Sequence, residues 1–85
     1  MLVATVESST LSRVAYIPTL ELLLLEFCSS TAYQFFGVPA AVHHALLSAP
    51  SKGRYFNHAI RGRFRYRLIP NFDAILLDAD VRAGG

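Results

Sequence analysis

The chain of 85 residues has one cysteine and few charged residues, which make up 16% of the sequence. The lone cysteine, Cys28, excludes an internal disulfide and a cluster of thiolates around a metal ion, so we expect a reducing compartment. No lysine or arginine precedes Arg13, and Glu7 interrupts the short apolar run before it, which excludes a secretory signal peptide. These absences predict a cytoplasmic protein.

Acidic residues are absent between residues 27 and 72, and lysine and arginine are absent from Phe27 to Ser51. This uncharged stretch contains Gln34 and two histidines, which excludes a membrane span. Without a nearby carboxylate, no histidine is oriented to act as a general base for a serine. His43 and His44 are adjacent on a predicted helix and diverge by about 100°, so they do not chelate one metal ion. There is no glycine-rich phosphate loop. The sequence therefore predicts a protein that is not an enzyme and has neither a metal site nor a cofactor.

Apolar residues are abundant, at 53% of the chain. This length allows one domain, which we take to span residues 1–85. Such a domain buries roughly 63% of the surface that its unfolded chain exposes, which makes its stability marginal. An apolar excess in so small a domain predicts a surface that a partner covers, and a second copy is the simplest partner.

The residue pattern changes from strand-like to helical and back. Apolar and alternating segments predict strands over residues 11–17, 20–27 and 31–36. An apolar stripe at helical spacing predicts a helix over residues 39–49, and Ser51 and Gly62 are suited to begin and end a second helix. Residues 63–68 alternate arginine with apolar side chains, which predicts a fourth strand with three arginines on one face, a continued helix being the alternative. The predicted fold is α+β: a small antiparallel β-sheet of three to four strands covered on one face by two consecutive α-helices.

Basic residues are concentrated in one segment. The net charge is −2 for residues 1–50, +6 for residues 51–67 and −2 for residues 68–85. The six basic residues of the middle segment, here called the basic block, are Lys52, Arg54, Arg61, Arg63, Arg65 and Arg67. Such a cationic surface suits phosphates, and Tyr55 and His58 would add secondary contacts. Tyr33 and Tyr55 are candidates for stacking on bases, although a half-buried position in the sheet explains Tyr33 as well.

Several short motifs follow one another in a fixed order over residues 6–66. They are Val6-Glu7-Ser8-Ser9, Tyr33-Gln34-Phe35, Val38-Pro39, the run from Ala49 to Asn57, and Ile60-Arg61. In this order they resemble the KTSC domain, named for its occurrence at the C-terminus of some lysyl-tRNA synthetases and also found as a free-standing bacterial protein. Residues 67–85 lie outside the resemblance as a C-terminal extension. The chain differs from the family at Phe35, where a second tyrosine is usual, and at Ser30, where glycine is usual. The resemblance implies a small α+β domain that binds RNA or another nucleic acid.

The basic block, taken with this resemblance, predicts non-catalytic nucleic-acid binding with low sequence specificity, through phosphate contacts from a helix and a strand. The alternative is a protein–protein interaction module that docks an acidic partner. A solvated surface balanced by Asp73, Asp78 and Asp80 would need no ligand at all. No base-reading motif is present, so the sequence does not distinguish RNA from DNA.

The second predicted strand has apolar side chains on both faces. Because side chains alternate across a strand, Leu23 and Leu25 face the helices whereas Leu22 and Leu24 face away. A row of uncovered leucines promotes aggregation, so we expect a homodimer built on this outer face. The predicted dimer interface comprises Leu20, Leu22, Leu24, Phe72, Ile75, Leu76 and Leu77. The last four belong to the C-terminal extension, which could cover the leucines from the same chain or be exchanged with the second copy.

Overall fold

The computed structural model, which describes residues 2–73, contains an antiparallel sheet whose five strands lie side by side in sequence order. The strands are β1 Leu2–Thr5, β2 Leu11–Ile17, β3 Leu22–Phe27, β4 Ala32–Phe35 and β5 Tyr66–Ile69. The connection from β4 to β5 forms the helices α1 Ala40–Ser48 and α2 Lys52–Tyr55, followed by a π-helix over Phe56–Ile60, here called the π segment. None of the helices within residues 2–73 has the length and apolar character needed to span a bilayer. The predicted α+β class is confirmed, and β1 raises the strand count to five, above the predicted three to four.

Cross-strand partners in an antiparallel sheet share a face, so the register assigns each strand residue to one side. Leu25 pairs with Val14 and Tyr33, on the side packed against α1 and the π segment, here called the helix-side face. Leu24 pairs with Ala15 and residue 34, on the opposite side, here called the far face. The predicted division of the β3 leucines between two faces is confirmed.

The core on the helix-side face joins the sheet to the helices. Leu46 of α1 and Ile60 of the π segment are fully buried in it. The Tyr16 hydroxyl donates a hydrogen bond of 2.5 Å to the carbonyl of Val38, which holds the chain just before α1. The Tyr16 ring also stacks on His43, with centroids 4.6 Å apart and planes 14° apart. These contacts fix α1 over the middle of the sheet.

The far face is covered within the same chain, which corrects the predicted row of exposed leucines. Leu20 lies in a short 3-10 turn before β3 and is 49% exposed. Leu22 and Leu24 are only 8% and 0% exposed, and they pack in a second core with Phe72, which follows β5. These two leucines therefore do not need a second copy to cover them. Ile75, Leu76 and Leu77, which complete the predicted dimer interface, lie outside the described residues, and the homodimer stays a prediction.

An ion-pair network on the far face holds the segment after β5. The Nε and Nη2 atoms of Arg13 donate to the two carboxylate oxygens of Glu26, each at 2.8 Å. Arg13 Nη1 donates to Asp73 at 2.8 Å, and the guanidinium carbon lies 4.6 Å from the centre of the Phe72 ring. The hydrogen bonds from Arg13 lower the pKa of Glu26 to about 2, and the hydrogen bonds that Arg13 donates to both carboxylates raise its own pKa. Asp73 is thus already paired with Arg13.

The segment after α1 differs from the predicted continuous second helix. Ser51 begins α2 as predicted, because its Oγ accepts a hydrogen bond of 3.4 Å from the backbone N–H of Arg54. From Phe56 the turns widen, and the Arg61 N–H donates to the Phe56 carbonyl at 2.8 Å, the five-residue spacing of a π-helix. Gly62 then turns the chain with a φ of +74°, the left-handed conformation expected of a terminating glycine.

Candidate nucleic-acid interface

Gly53 determines how closely α2 approaches the sheet. A Cβ atom at this position would lie 2.6 Å from Thr10 Oγ1 and 3.2 Å from Thr10 Cβ. The turn that carries Thr10 is itself held by Ser8, whose Oγ accepts hydrogen bonds from the N–H groups of Thr10 and Leu11 at 3.1 and 3.3 Å. The absence of a side chain at Gly53 therefore lets α2 lie directly against the β1–β2 turn.

Two of the predicted contact residues already make contacts within the protein. Lys52 is half-buried, and its Nζ donates a hydrogen bond of 3.2 Å to the carbonyl of Ala49. Tyr55 is half-buried against the helix-side core. Both residues therefore offer less to a ligand than the sequence suggested.

The other predicted contact residues are exposed, and they are Arg54, His58, Arg61, Arg63, Arg65 and Arg67. Among residues 2–73, salt bridges form at Arg13 and at no member of the basic block. Of the three aspartates considered as its counter-charges, Asp73 binds Arg13, whereas Asp78 and Asp80 lie outside the described residues. An exposed guanidinium without a carboxylate partner keeps its donors available for an anion.

The prediction that Arg63, Arg65 and Arg67 share one face of a strand is wrong. The chain is still turning at Arg63 because of the left-handed glycine before it, and β5 begins only at Tyr66. Arg67 is in register with Leu24 through β4, so it lies on the far face. The basic block is thereby divided between the two sides of the sheet.

Aromatic side chains from three strands and the π segment form a cavity beside β5. Its volume is about 430 Å³, and its lining comprises Phe27, Tyr33, Phe35, Phe56, Arg61, Gly62 and Tyr66. The wide turn of the π segment places Arg61 beside the rings, since its N–H is bonded to the Phe56 carbonyl. The cavity therefore combines an apolar aromatic surface with a cation.

The rings around the cavity meet mainly edge to face. Centroid distances are 5.2 Å for Phe27 and Phe56 and 5.7 Å for Tyr33 and Tyr66, within the favourable range for such pairs. Tyr66 nevertheless remains 62% exposed, and Leu68, on the same face of β5, is 60% exposed. The helices thus leave this edge of the sheet uncovered.

Two further arginines adjoin the cavity. Arg63 and Arg65 line a shallow depression together with Phe64, and this depression shares Gly62 and Tyr66 with the cavity. The cavity and the depression form what we call the β5 edge. A polyanion lying along the β5 edge would contact Arg61 at the cavity and then Arg63 and Arg65 at the depression.

Sequence reasoning identified Tyr33 and Arg61 as candidates but did not bring them together, and it missed Tyr66. The available signal was the alternation of rings, at Tyr33 and Phe35 in one strand and at Phe64 and Tyr66 near another. That alternation becomes a shared surface only when β5 pairs with β4, and the sequence leaves the pairing open.

Of the two histidines of α1, His43 is part of the packing against the sheet and His44 is exposed. Within residues 2–73, no three His, Cys, Asp or Glu side chains are grouped closely enough to hold a metal ion. His43 is buried, its Nδ1 has no hydrogen-bond partner among the described residues, and burial lowers its pKa. The His44 ring lies 5.6 Å from it, between centroids, and is tilted by 45°.

Comparison with known proteins gives a consistent result. Residues 7–64 match the sequence model of the KTSC domain family. The chain is 45% identical over 60 residues to a lysine–tRNA ligase of Nostoc sp., a match that covers 71% of this chain and 11% of the ligase. It is 38% identical over 60 residues to a protein of Tsukamurella paurometabola, covering 71% of this chain and 90% of that protein. The crystal structure of a KTSC domain protein from Yersinia pestis is similar with a TM-score of 0.77 and 37% identity, over 80% of this chain and 96% of the other. The chain thus spans a small part of the ligase and nearly the whole of the two small proteins.

Proposed function

The chain belongs to the KTSC domain family, and we propose that it is a non-catalytic nucleic-acid-binding protein with low sequence specificity. The observation that carries this proposal is the β5 edge. There, Arg61, Arg63 and Arg65 are exposed, without a carboxylate partner among residues 2–73, beside a cavity of aromatic rings.

Arginine contacts to phosphates supply the affinity. Each guanidinium that neutralises a phosphate releases a counterion, so binding weakens as salt rises. Arg54 extends the cationic surface onto α2, whereas Lys52 contributes less because its ammonium group is bonded to the Ala49 carbonyl. Arg67 contributes least, since it lies on the far face.

Low specificity follows from the kind of contact. Phosphate contacts position a protein on a nucleic acid but carry no sequence information. Within the described part of the chain, α1 is packed on the sheet, and α2 with the π segment spans only residues 52–60, so no long exposed helix is available to enter a major groove.

A titration of labelled RNA and DNA oligonucleotides, followed by fluorescence anisotropy at two salt concentrations, tests the proposal. We expect binding at low salt, with log Kd rising by about 2 to 3 per tenfold increase in salt for three to four phosphate contacts on a single strand. Replacing Arg61, Arg63 and Arg65 together by glutamine should remove most of this dependence.

The matched control is Arg67→Gln, which removes the same group from the far face and should change affinity little. Absence of binding at low salt contradicts the proposal. A partner that is pulled from the organism's own lysate and retained after nuclease treatment would favour the acidic protein partner instead.

A further inference from the structure

We propose that the aromatic cavity of the β5 edge takes a single unstacked base, so that the ligand is a single-stranded nucleic acid. This inference rests on the proposed function and names its ligand class. Two residues that line the same cavity support it. Tyr66 provides a ring with most of its surface free, and Arg61 provides a cation.

Most of the surface of Tyr66 is not covered by the protein. Its ring contacts Tyr33 at 5.7 Å and Phe35 at 5.9 Å between centroids, yet the residue is 62% exposed. A large exposed aromatic side chain next to an exposed leucine is unusual on a strand unless something covers it. An aromatic ring at a sheet surface is a platform on which any base can stack.

The size and the lining of the cavity suit a planar base. About 430 Å³ lies within the range of small-ligand sites, and the walls are flat aromatic rings held by their contacts with one another. A planar base fits such walls better than a branched aliphatic side chain does. The contribution of one stacked base is typically ~1–3 kcal/mol by alanine substitution.

Three arginines give the cavity and the adjoining depression a positive charge. Arg61 lines the cavity itself, and Arg63 and Arg65 line the depression that continues from it. A base in the cavity brings its own phosphates, which would lie next to the arginines that line the cavity and the depression. A purely hydrophobic partner would leave the same three cations without counter-charges, so the charge pattern favours a base with its backbone.

The aromatic lining of the cavity is not suited to a duplex. Bases in a duplex are stacked and paired, so a cavity that surrounds a base with rings can accept only a base outside the stack. Single strands, loops and ends provide such bases. The last described residues, Phe72 and Asp73, lie on the far face, opposite the cavity.

The test compares three labelled probes of equal length with the intact chain: a thymidine oligonucleotide, the same backbone with abasic sites, and a duplex. The abasic strand keeps every phosphate and removes every base. We expect the thymidine strand to bind at least about tenfold more tightly than the abasic strand, in line with one stacked base. We also expect it to bind more tightly than the duplex.

The variant Tyr66→Val keeps a strand-forming residue at an exposed position and removes the ring. It should weaken binding of the thymidine strand about tenfold or more, leave abasic and duplex binding unchanged, and leave the salt dependence unchanged. Arg63→Gln should weaken all three probes and reduce the salt dependence. Circular dichroism and thermal unfolding establish that both variants are folded.

Equal binding of the thymidine and abasic strands, with Tyr66→Val unchanged, would overturn the base cavity while leaving the phosphate-binding function intact. Failure of these probes and of the RNA oligonucleotides to bind at low salt would overturn the proposed function itself. A copolymer of glutamate and tyrosine that binds more tightly than the thymidine strand would overturn both, in favour of an acidic protein partner.

Discussion

The rings of Tyr33 and Tyr66 meet edge to face across the β4–β5 pair, with centroids 5.7 Å apart and planes 72° apart. Tyr33 is half-buried against the core, whereas Tyr66 is 62% exposed. The pair therefore marks the place where the packed interior of the domain meets an open edge. Arginines surround that edge, and this coincidence of rings and cations distinguishes it from an ordinary basic surface.

Replacing Ser30 by glycine should stabilise the fold. Ser30 has a φ of +73° at the β3–β4 hairpin. A non-glycine residue in this conformation costs ~1–2 kcal/mol, and the greater flexibility of glycine in the unfolded chain offsets part of the gain. We expect Ser30→Gly to raise the free energy of unfolding by about 0.5–1 kcal/mol in urea denaturation.

The matched control for this prediction is the neighbouring Ser29, whose φ is not positive. Ser29→Gly loses the hydrogen bond from Ser29 Oγ to Thr31 Oγ1 and should lower stability slightly. If Ser30→Gly destabilises the protein as much as Ser29→Gly does, the hairpin does not have the described conformation.

Substitution of Gly53 by alanine should destabilise the domain, opposite to the usual effect in a helix. Alanine is favoured over glycine in a helix by ~1 kcal/mol, but here its Cβ would lie 2.6 Å from Thr10 Oγ1. We expect a net loss of about 1–3 kcal/mol, measured by chemical denaturation.

A double-mutant cycle with Thr10→Ala identifies the cause, because that change removes the Oγ1 and Cγ2 atoms facing Gly53. The double variant should recover about half of the loss, with a coupling free energy of ~0.5–2 kcal/mol. Strict additivity of the two changes would show that α2 does not contact this turn.

Stability should decrease as the pH falls below the ordinary histidine range, because of His43. Burial first, and the neighbouring His44 second, lower the pKa of His43 below 6.5. The unfolded chain therefore binds a proton that the folded chain excludes. This contribution to stability is complete above about pH 6.5 and is lost as the pH falls through that value towards the lower pKa of the folded state.

His43→Phe keeps a ring against Tyr16 and removes the titrating group. The melting temperature of this variant should change less than that of the unmodified protein between about pH 7.5 and about pH 5.5. Parallel pH profiles for the two proteins would contradict the assignment.

The Arg13–Glu26 pair should contribute stability that persists to lower pH. Hydrogen bonds from Arg13, with a smaller contribution from Ser12, hold the pKa of Glu26 at about 2 against an ordinary value of 4.5. The contribution is therefore present above pH 4.5 and is lost as the pH falls towards 2. Glu26→Gln should lower the free energy of unfolding by about 1–2 kcal/mol at neutral pH.

Asp73→Asn provides the comparison for this pair. The Asp73 side chain is 65% exposed, so its ion pair with Arg13 should contribute ~0–1 kcal/mol. Urea denaturation at neutral pH measures both variants. A larger loss for Asp73→Asn than for Glu26→Gln would contradict the relative importance assigned to the two pairs.

Much of the fold could be predicted because local chemistry determines it. The alternation of leucines in β3, the cap at Ser51 and the left-handed glycine at Gly62 each depend on neighbours in sequence, and the structure confirms all three. The strand β1 was not predicted because its residues are mostly exposed. With neither face buried, its sequence carries no period-two hydrophobic signal.

The parts of the site that could not be predicted depend on contacts distant in sequence. The cover of Leu24 comes from Phe72, 48 positions later, and the cavity requires β5 beside β4. The alternation of arginines at 63, 65 and 67 predicts a strand from residue 63 onward, but the turn at Gly62 delays β5 until Tyr66. The residue pattern predicts which residue types form the site, whereas the order of the strands determines which of them are in contact.

A two-dimensional ¹H–¹⁵N NMR titration of the chain with a thymidine oligonucleotide tests the central claim most directly, because it reports both binding and its location. The account predicts that amide shifts change at the β5 edge, foremost at Arg61, Gly62 and Tyr66. The amide shifts of Arg13 and Leu24, whose side chains lie on the far face, should stay unchanged. Shift changes centred on the far face, or no changes at low salt with excess oligonucleotide, would contradict it.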